Sequence, residues 1–216
     1  MAAAGCCSTH RGDDQVKRYQ ALKLLAASIA DDTIVVANVG PISREWNALR
    51  PSEANLLQVN LGLCSAVGLG IARSLPHRKI VLIDGDGNLL MNLASLADAA
   101  NQLPQNLVHI VLDNGAYEGG GGLPSVTSKR TDLAQVALGA GIERSRTVDA
   151  LEDFDVATRE AQASPGHWFI AAKVDTGSVP DLPTQTMDGP EAKYRFARYI
   201  ESSERIQVLR PRYTHI

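Results

Sequence analysis

Short apolar runs alternate along this chain with stretches of helical spacing. Thr33–Ala37, Leu56–Leu61, Ile80–Ile83, Leu107–Leu112 and His167–Val174 are rich in Val, Ile and Leu, as strands of a parallel sheet covered on both faces are. Between them apolar residues recur with the helical period. Tyr19, Leu22, Leu25, Ala26 and Ile29 share one face ahead of Asp31-Asp32; Leu93, Leu96, Ala97, Ala100 and Leu103 share another, which Pro104 ends. Further helices are predicted from Glu45-Trp46, over Gly62–Ser74, Thr131–Leu138, Asp149–Ala163 and Glu191–Ser203, with a short strand at Thr147-Val148. Ser43 reads as an N-cap with Pro41 ahead of it, and Thr131 or Asp132 as the cap of the Thr131–Leu138 helix. Gly62, Ala66, Gly70 and Ala72 lack bulk and permit close backbone approach. A strand–helix–strand unit of this length joins parallel neighbours by a right-handed crossover. The expected fold class is therefore α/β: a three-layer α/β/α arrangement around a central parallel sheet.

The polar residues that close two of these runs carry the chemistry. Gly85-Asp86-Gly87-Asn88 stands at the carboxyl end of one strand and Asp113-Asn114-Gly115 at the carboxyl end of the next. Both clusters face the rim where open α/β sheets place ligands. Asp86 offers a hard anionic oxygen and Asn114 a neutral amide oxygen; Mg²⁺ takes one or two such ligands and completes its octahedron with phosphate and water. Gly87 and Asn88 open the crossover helix, whose first N–H groups attract phosphate. Other readings fit less well. A calcium loop starting at Asp84 would need glycine where Leu89 stands and glutamate where Ser95 stands. A dinucleotide fingerprint lacks its third glycine, since Leu90 and Arg73 fall there, and no Gly-Lys-Ser/Thr ending is present.

At 216 residues, 44% hydrophobic and 21% charged, the chain has room for one well-cored domain. Its expected limits are a flexible tail over 1–15, the folded domain over 16–204 and a C-terminal tail over 205–216. A net charge of −3 excludes a general nucleic-acid binder, and no apolar run is long enough for a membrane span. Cys6, Cys7 and His10 form one isolated cluster, and Cys64 sits in a small-residue run as a core filler. With no secretory leader pattern at the start, a cytoplasmic location is expected. His109 and His167 fall within strands and read as structural.

The Asp86 and Asn114 pair, 28 positions apart, resembles the thiamine diphosphate motif of the enzymes that depend on that coenzyme. DDTIVVANVGPISREW, LGLCSAVGLGIARSLP, the segment from Gly85 to Tyr117 and the late AKYRFARYIE resemble the β subunit of sulfopyruvate decarboxylase and the matching half of phosphonopyruvate decarboxylase. The resemblance implies a thiamine diphosphate-binding domain with Mg²⁺ held by Asp86, Asn114 and the Ala116 carbonyl. It implies diphosphate contacts from Gly40, Ser43, Gly85, Gly87 and Asn88 and from Tyr117, Glu118 and Gly119. It places Leu61, beside Gly62, as the apolar wedge between the coenzyme rings. It implies a partner α subunit holding the pyrimidine and the activating glutamate, in an α2β2 or larger hetero-oligomer acting on a small 2-oxo acid.

The chain departs from that pattern in three places. Val59-Asn60 precedes Leu61 where relatives carry Gly-Ser, Gly119–Gly122 replaces a polar segment and reads as a mobile lid, and Glu118 stands where relatives carry a small residue, which makes this carboxylate a candidate for proton transfer. Decarboxylation of a 2-oxo acid is the leading expectation. Carboligation, as in acetohydroxy acid synthases, and a non-catalytic coenzyme-binding subunit are the alternatives.

Overall fold

The computed structural model describes residues 16–182 and 188–209. The expected tail over 1–15, with Cys6, Cys7 and His10, lies outside the described residues, as does 210–216 of the expected C-terminal tail.

Strands β1 (Ile34–Asn38), β2 (Asn55–Val59), β3 (Ile80–Gly85), β4 (Asn106–Asp113), β7 (Arg144–Val148) and β8 (Gly166–Lys173) form one sheet in the order β2-β1-β3-β4-β8-β7. Every neighbouring pair is parallel. A separate antiparallel hairpin joins β5 (Ala116–Tyr117) to β6 (Leu123–Pro124). The helices are α1 (Arg18–Ser28), α2 (Pro41–Leu49), α3 (Cys64–Ser74), α4 (Asp86–Leu90), α5 (Ala94–Gln102), α6 (Leu133–Ala140), α7 (Leu151–Ala163) and α8 (Gly189–Glu204). Among the described residues no helix is long and apolar enough to cross a membrane.

Side chains alternate along each strand, so the sheet presents two apolar faces. Val35, Ala37, Val81, Ile83, Val108 and Ile110 meet Leu22 and Leu25 of α1, Trp46 of α2 and Phe154 of α7. On the other face Ile34, Val36, Ile80 and Leu82 meet Cys64 and Ala72 of α3 and Phe196 and Ile200 of α8. Val111, Phe169 and Ala171 extend that face beneath α4, α5 and α6. Burial of each such large aliphatic side chain stabilises the fold by about 1.5–3 kcal/mol. The three-layer expectation holds, and two covered faces explain why the strands read as unbroken apolar runs.

Four local expectations are corrected. Ser43 does not cap its helix. Helix α2 begins at Pro41, with Gly40 as N-cap at φ 109°, because proline suits the first helical position, where no N–H is needed. The Ser43 hydroxyl instead lies 2.7 Å from the Asn38 carbonyl, to which it donates, and accepts from the Gln58 N–H at 3.0 Å. The crossover from β3 to β4 is two helices rather than one. Helix α5 buries Ser95, Leu96, Ala99 and Ala100, while Ala97 faces outward and Leu103 swings out in a left-handed C-cap (φ 44°) before Pro104. The close approach in α3 is made by Gly68, where an added Cβ would lie 1.9 Å from Leu82 Cδ2; Gly70 has open space around it and Ala66 is exposed. The glycine-rich segment, expected as a mobile lid, has the backbone of a hairpin turn. It closes the β5–β6 hairpin, with Gly121 and Gly122 at positive φ and the Gly122 N–H on the Tyr117 carbonyl at 2.9 Å. Of the two candidate caps for α6, Asp132 is the one used, accepting from the Ala134 and Gln135 N–H groups.

Candidate functional site

From β1 the chain steps outward to β2, then returns across β1 to β3 on its far side. A crevice opens at such a reversal, at the carboxyl ends of β1 and β3. Gly40 and α2 leave one of these ends, and Gly85–Asn88 leaves the other; Gly85 packs near both, with an added Cβ 3.7 Å from Ile42 Cδ1. Gly85 also pairs in register with Leu112 of β4. Asp86 and the Asp113-Asn114 pair therefore rise at one level on one rim, as the sequence predicts.

Asp86 is buried, 2% exposed. Its Oδ2 lies 2.6 Å from Ser125 Oγ and 3.1 Å from Thr127 Oγ1, and Thr127 Oγ1 lies 2.6 Å from Asp113 Oδ1. Each hydroxyl has a single proton to give. Ser125 thus serves Asp86, and Thr127 serves the nearer Asp113. Asp113 has in addition the Lys173 ammonium at 2.5 Å. Asp86 has no cationic partner among the described residues. Burial pushes the Asp86 carboxyl above the usual carboxylate range and the charge of Asp113 adds to this, with the Ser125 and Thr127 hydroxyls and the Gly87 N–H acting the other way. A buried acid without a cation, beside neutral oxygens, matches the ligand set of a hard divalent ion. No group of three or more His, Cys, Asp or Glu that could hold a metal by itself occurs among the described residues. The donor set is thus one carboxylate plus neutral oxygens, and phosphate would have to complete it.

Asn114, which follows Asp113 at the end of β4, is half-buried. Its Oδ1 accepts the Ala116 N–H at 3.0 Å and its Nδ2 donates to Glu118 Oε2 at 3.0 Å. Tyr117 lies over Gly87, where an added Cβ would come within 2.6 Å of the ring. Gly87 is thus required by the hairpin seated on α4, a role that turn propensity alone does not reveal. The phosphate contact expected of Asn88 is one through its N–H, and its side chain is spent elsewhere. Its Oδ1 accepts the Gly62 N–H at 2.8 Å and its Nδ2 donates to buried Asp84 at 2.5 Å, while Asn92 Nδ2 reaches the Gly62 carbonyl at 2.9 Å. These bonds pin the turn that presents Leu61, whose side chain is 56% exposed alongside exposed Leu63 and Met91. The Ser43 hydroxyl faces backbone groups beneath the rim, and Gly119 has open space around it.

Both strand histidines are structural. His109 pairs with Asp84 at 3.4 Å and stands edge-on to Phe169. His167 lies at the opposite, amino end of β8, and burial, aided by His109, pushes its pKa down to about 3.

Sequence reading missed Arg18, Glu45, Ser125 and Thr127. Arg18 is buried and holds Glu45 with Nε and Nη2 at 2.8 and 2.9 Å, and Glu118 with Nη1 at 2.6 Å. The loop after β8 closes over this cluster, through the Gly177 carbonyl on Arg18 at 2.9 Å and the Gly177 N–H on Glu118 at 2.5 Å. One signal was available: Arg18 lies on the apolar stripe of Leu22 and Leu25, and a charge there requires a partner.

A family model described as the thiamine pyrophosphate enzyme, C-terminal TPP binding domain, matches residues 44–172. The chain is 34% identical over 184 residues to phosphonopyruvate decarboxylase of Streptomyces viridochromogenes, covering 85% of this chain and 46% of that protein. It is 31% identical over 192 residues to the sulfopyruvate decarboxylase subunit beta of Methanocaldococcus jannaschii, covering 87% of this chain and 98% of that subunit. It thus spans about half of the first relative and nearly all of the second. Benzoylformate decarboxylase from Polynucleobacter necessarius has a similar fold, with a TM-score of 0.65 at 16% identity, over 82% of this chain and 36% of that one.

Proposed function

We propose, on the premise that this chain belongs to the thiamine pyrophosphate enzyme family through its C-terminal TPP-binding domain, that it is the diphosphate-binding subunit of a split 2-oxo acid decarboxylase. Near-complete coverage of a protein named as a β subunit supports the split arrangement. The observation that carries the site is Asp86, a buried carboxylate at the end of β3 without a cationic partner among the described residues, on the same rim as Asn114 at the end of β4.

In this reading Asp86, the Asn114 amide oxygen and the Ala116 carbonyl hold Mg²⁺. Gly40, Gly85, Gly87, Asn88 and the segment from Tyr117 to Gly119 flank the diphosphate, with Leu61 and Gly62 beside the rings. When bound, the coenzyme supplies the electron sink that lets a 2-oxo acid lose carbon dioxide. Ser125 and Thr127 fix the acid pair of Asp86 and Asp113 in place before any cation arrives, and such preorganisation lowers the cost of binding. Exposed Leu61, Leu63, Met91 and Leu123 leave an apolar rim suited to burial beneath an α subunit, which would exclude water from the reacting centre. The relatives' names point to a substrate with a second acidic group, a sulfonate or a phosphonate.

The test uses the full chain together with a coexpressed α subunit. Carbon dioxide release from sulfopyruvate or phosphonopyruvate, dependent on Mg²⁺ and thiamine diphosphate, is expected; a ligation product without aldehyde would instead mark a carboligase. Asp86→Ala should lose Mg²⁺-dependent coenzyme retention, and unchanged retention would contradict the assignment.

A further inference from the structure

The rim holds one feature that metal and diphosphate binding does not account for. Glu118 is joined at once to a metal-ligand candidate, to a buried arginine and to the loop beyond β8. Its Oε2 takes both Asn114 Nδ2 at 3.0 Å and Arg18 Nη1 at 2.6 Å, and its Oε1 takes the Gly177 N–H at 2.5 Å. Arg18 is held from the other side by both oxygens of Glu45, itself 1% exposed, and by Ser178 Oγ at 3.1 Å. Two segments distant in sequence, at Arg18 and Gly177, thus fix this carboxylate beside Asn114.

What that fixes is the sense of the Asn114 amide. A carboxylate can only accept hydrogen bonds and a backbone N–H can only donate one. With Glu118 on one side and the Ala116 N–H on the other, Nδ2 must face Glu118 and Oδ1 must face the other way. Oδ1 accepts one bond, from Ala116, and keeps a second lone pair. Turned over, the amide would set its oxygen against the Glu118 carboxylate and its NH₂ against an N–H. A turned amide would also offer a cation two protons in place of an oxygen.

We infer that Glu118, anchored by Arg18, is a positioning residue that holds the Asn114 amide with its oxygen toward the Mg²⁺ site. The inference rests on the metal assignment above and deepens it. It also gives Glu118 a task other than proton transfer, because its carboxylate is committed to three donors. Partners that orient a metal ligand in this way are worth about 10–100-fold in metal affinity.

Mg²⁺ affinity in the presence of thiamine diphosphate, measured by calorimetry on the full chain with its α subunit, reads this directly; Mn²⁺ replacing Mg²⁺ adds a spectroscopic signature of the ligand set. Glu118→Ala should weaken Mg²⁺ binding about 10–100-fold, and Glu118→Gln, which keeps an oxygen for Asn114 Nδ2, should recover much of the loss. Asn114→Ala combined with Glu118→Ala should bind no more weakly than Asn114→Ala alone, because Glu118 acts through Asn114. Additive losses in the pair, or wild-type affinity in Glu118→Ala while Asp86→Ala has lost binding, would overturn the inference and leave the metal assignment standing. Wild-type chain that takes up no Mg²⁺, or Asp86→Ala that binds it unchanged, would remove both. If Glu118→Ala does not fold, Arg18→Met with Glu118 intact decides the matter: loss of Mg²⁺ affinity supports the anchor, and unchanged affinity rejects it.

Discussion

At the scale of single residues, the site keeps its chemistry ready at a cost in stability. Asp86 is buried, faces a second carboxylate at Asp113 and has no cation beside it among the described residues. Asn at this position would keep an oxygen for the Ser125 hydroxyl and remove the buried charge. Asp86→Asn should therefore stabilise the metal-free chain by about 0.5–2 kcal/mol in urea unfolding while abolishing Mg²⁺-dependent coenzyme retention. A variant less stable than wild type would show that the charge is already compensated. The acid and the amide of this site were legible because each directly closes an apolar run, and the ends of neighbouring parallel strands share one rim. Arg18 was not, because a helix reads as a stripe of apolar positions and says nothing of what a charge on that stripe will meet 100 residues later. Thr127 escaped for a similar reason: a hydroxyl is common in loops, and only the register of β3 with β4 sets it between two carboxylates.

At the scale of elements, strand identities were readable from apolar runs, whereas helix faces were less so. Helix α3 shows why. Its small residues suggest close packing, but periodicity does not say which of them touches the sheet; the contact falls on Gly68 against fully buried Leu82. Alanine there improves helix propensity by about 1 kcal/mol. It also drives a methyl group to 1.9 Å from a side chain that has no space to move, and overpacking of this kind costs about 1–3 kcal/mol. Gly68→Ala should thus lower stability on balance, and the same substitution at open Gly70 should raise it. Denaturant midpoints of the two variants, compared side by side, check the assignment. The hairpin is a second case. Four successive glycines suggest slack, yet two at positive φ simply close a turn that seats Tyr117 on Gly87.

For the whole molecule, the sheet has a working end and a structural end. Acids and amides gather at the carboxyl ends of β3 and β4, while His167 stands at the amino end of β8 with both ring nitrogens unpartnered among the described residues. Burial holds its pKa down at about 3, against an ordinary 6.5. The unfolded chain takes up this proton near pH 6.5, but the folded chain does not until about pH 3. The contribution is fully present above 6.5 and is lost as pH falls toward 3, at no more than about 1.4 kcal/mol per pH unit. His167→Phe should flatten acid unfolding across that window and leave Mg²⁺ binding unchanged; an identical acid limb would show that other groups govern it. The fold class was legible from alternation of runs and spacings alone, since any order of parallel strands with two covered faces satisfies it. The strand order was not, because it depends on which edge each crossover chooses.

The guanidinium of Arg18 has a practical consequence. It sits in the first turn of α1, yet it fastens residues 118 and 177, which lie far downstream. Trimming a few residues past Lys17 would spare every group proposed to touch the coenzyme and still unlatch the cluster behind them. Such a shortened chain should keep every proposed coenzyme contact and yet hold Mg²⁺ about 10–100-fold more weakly, so the point at which an expression boundary is drawn would set the measured affinity.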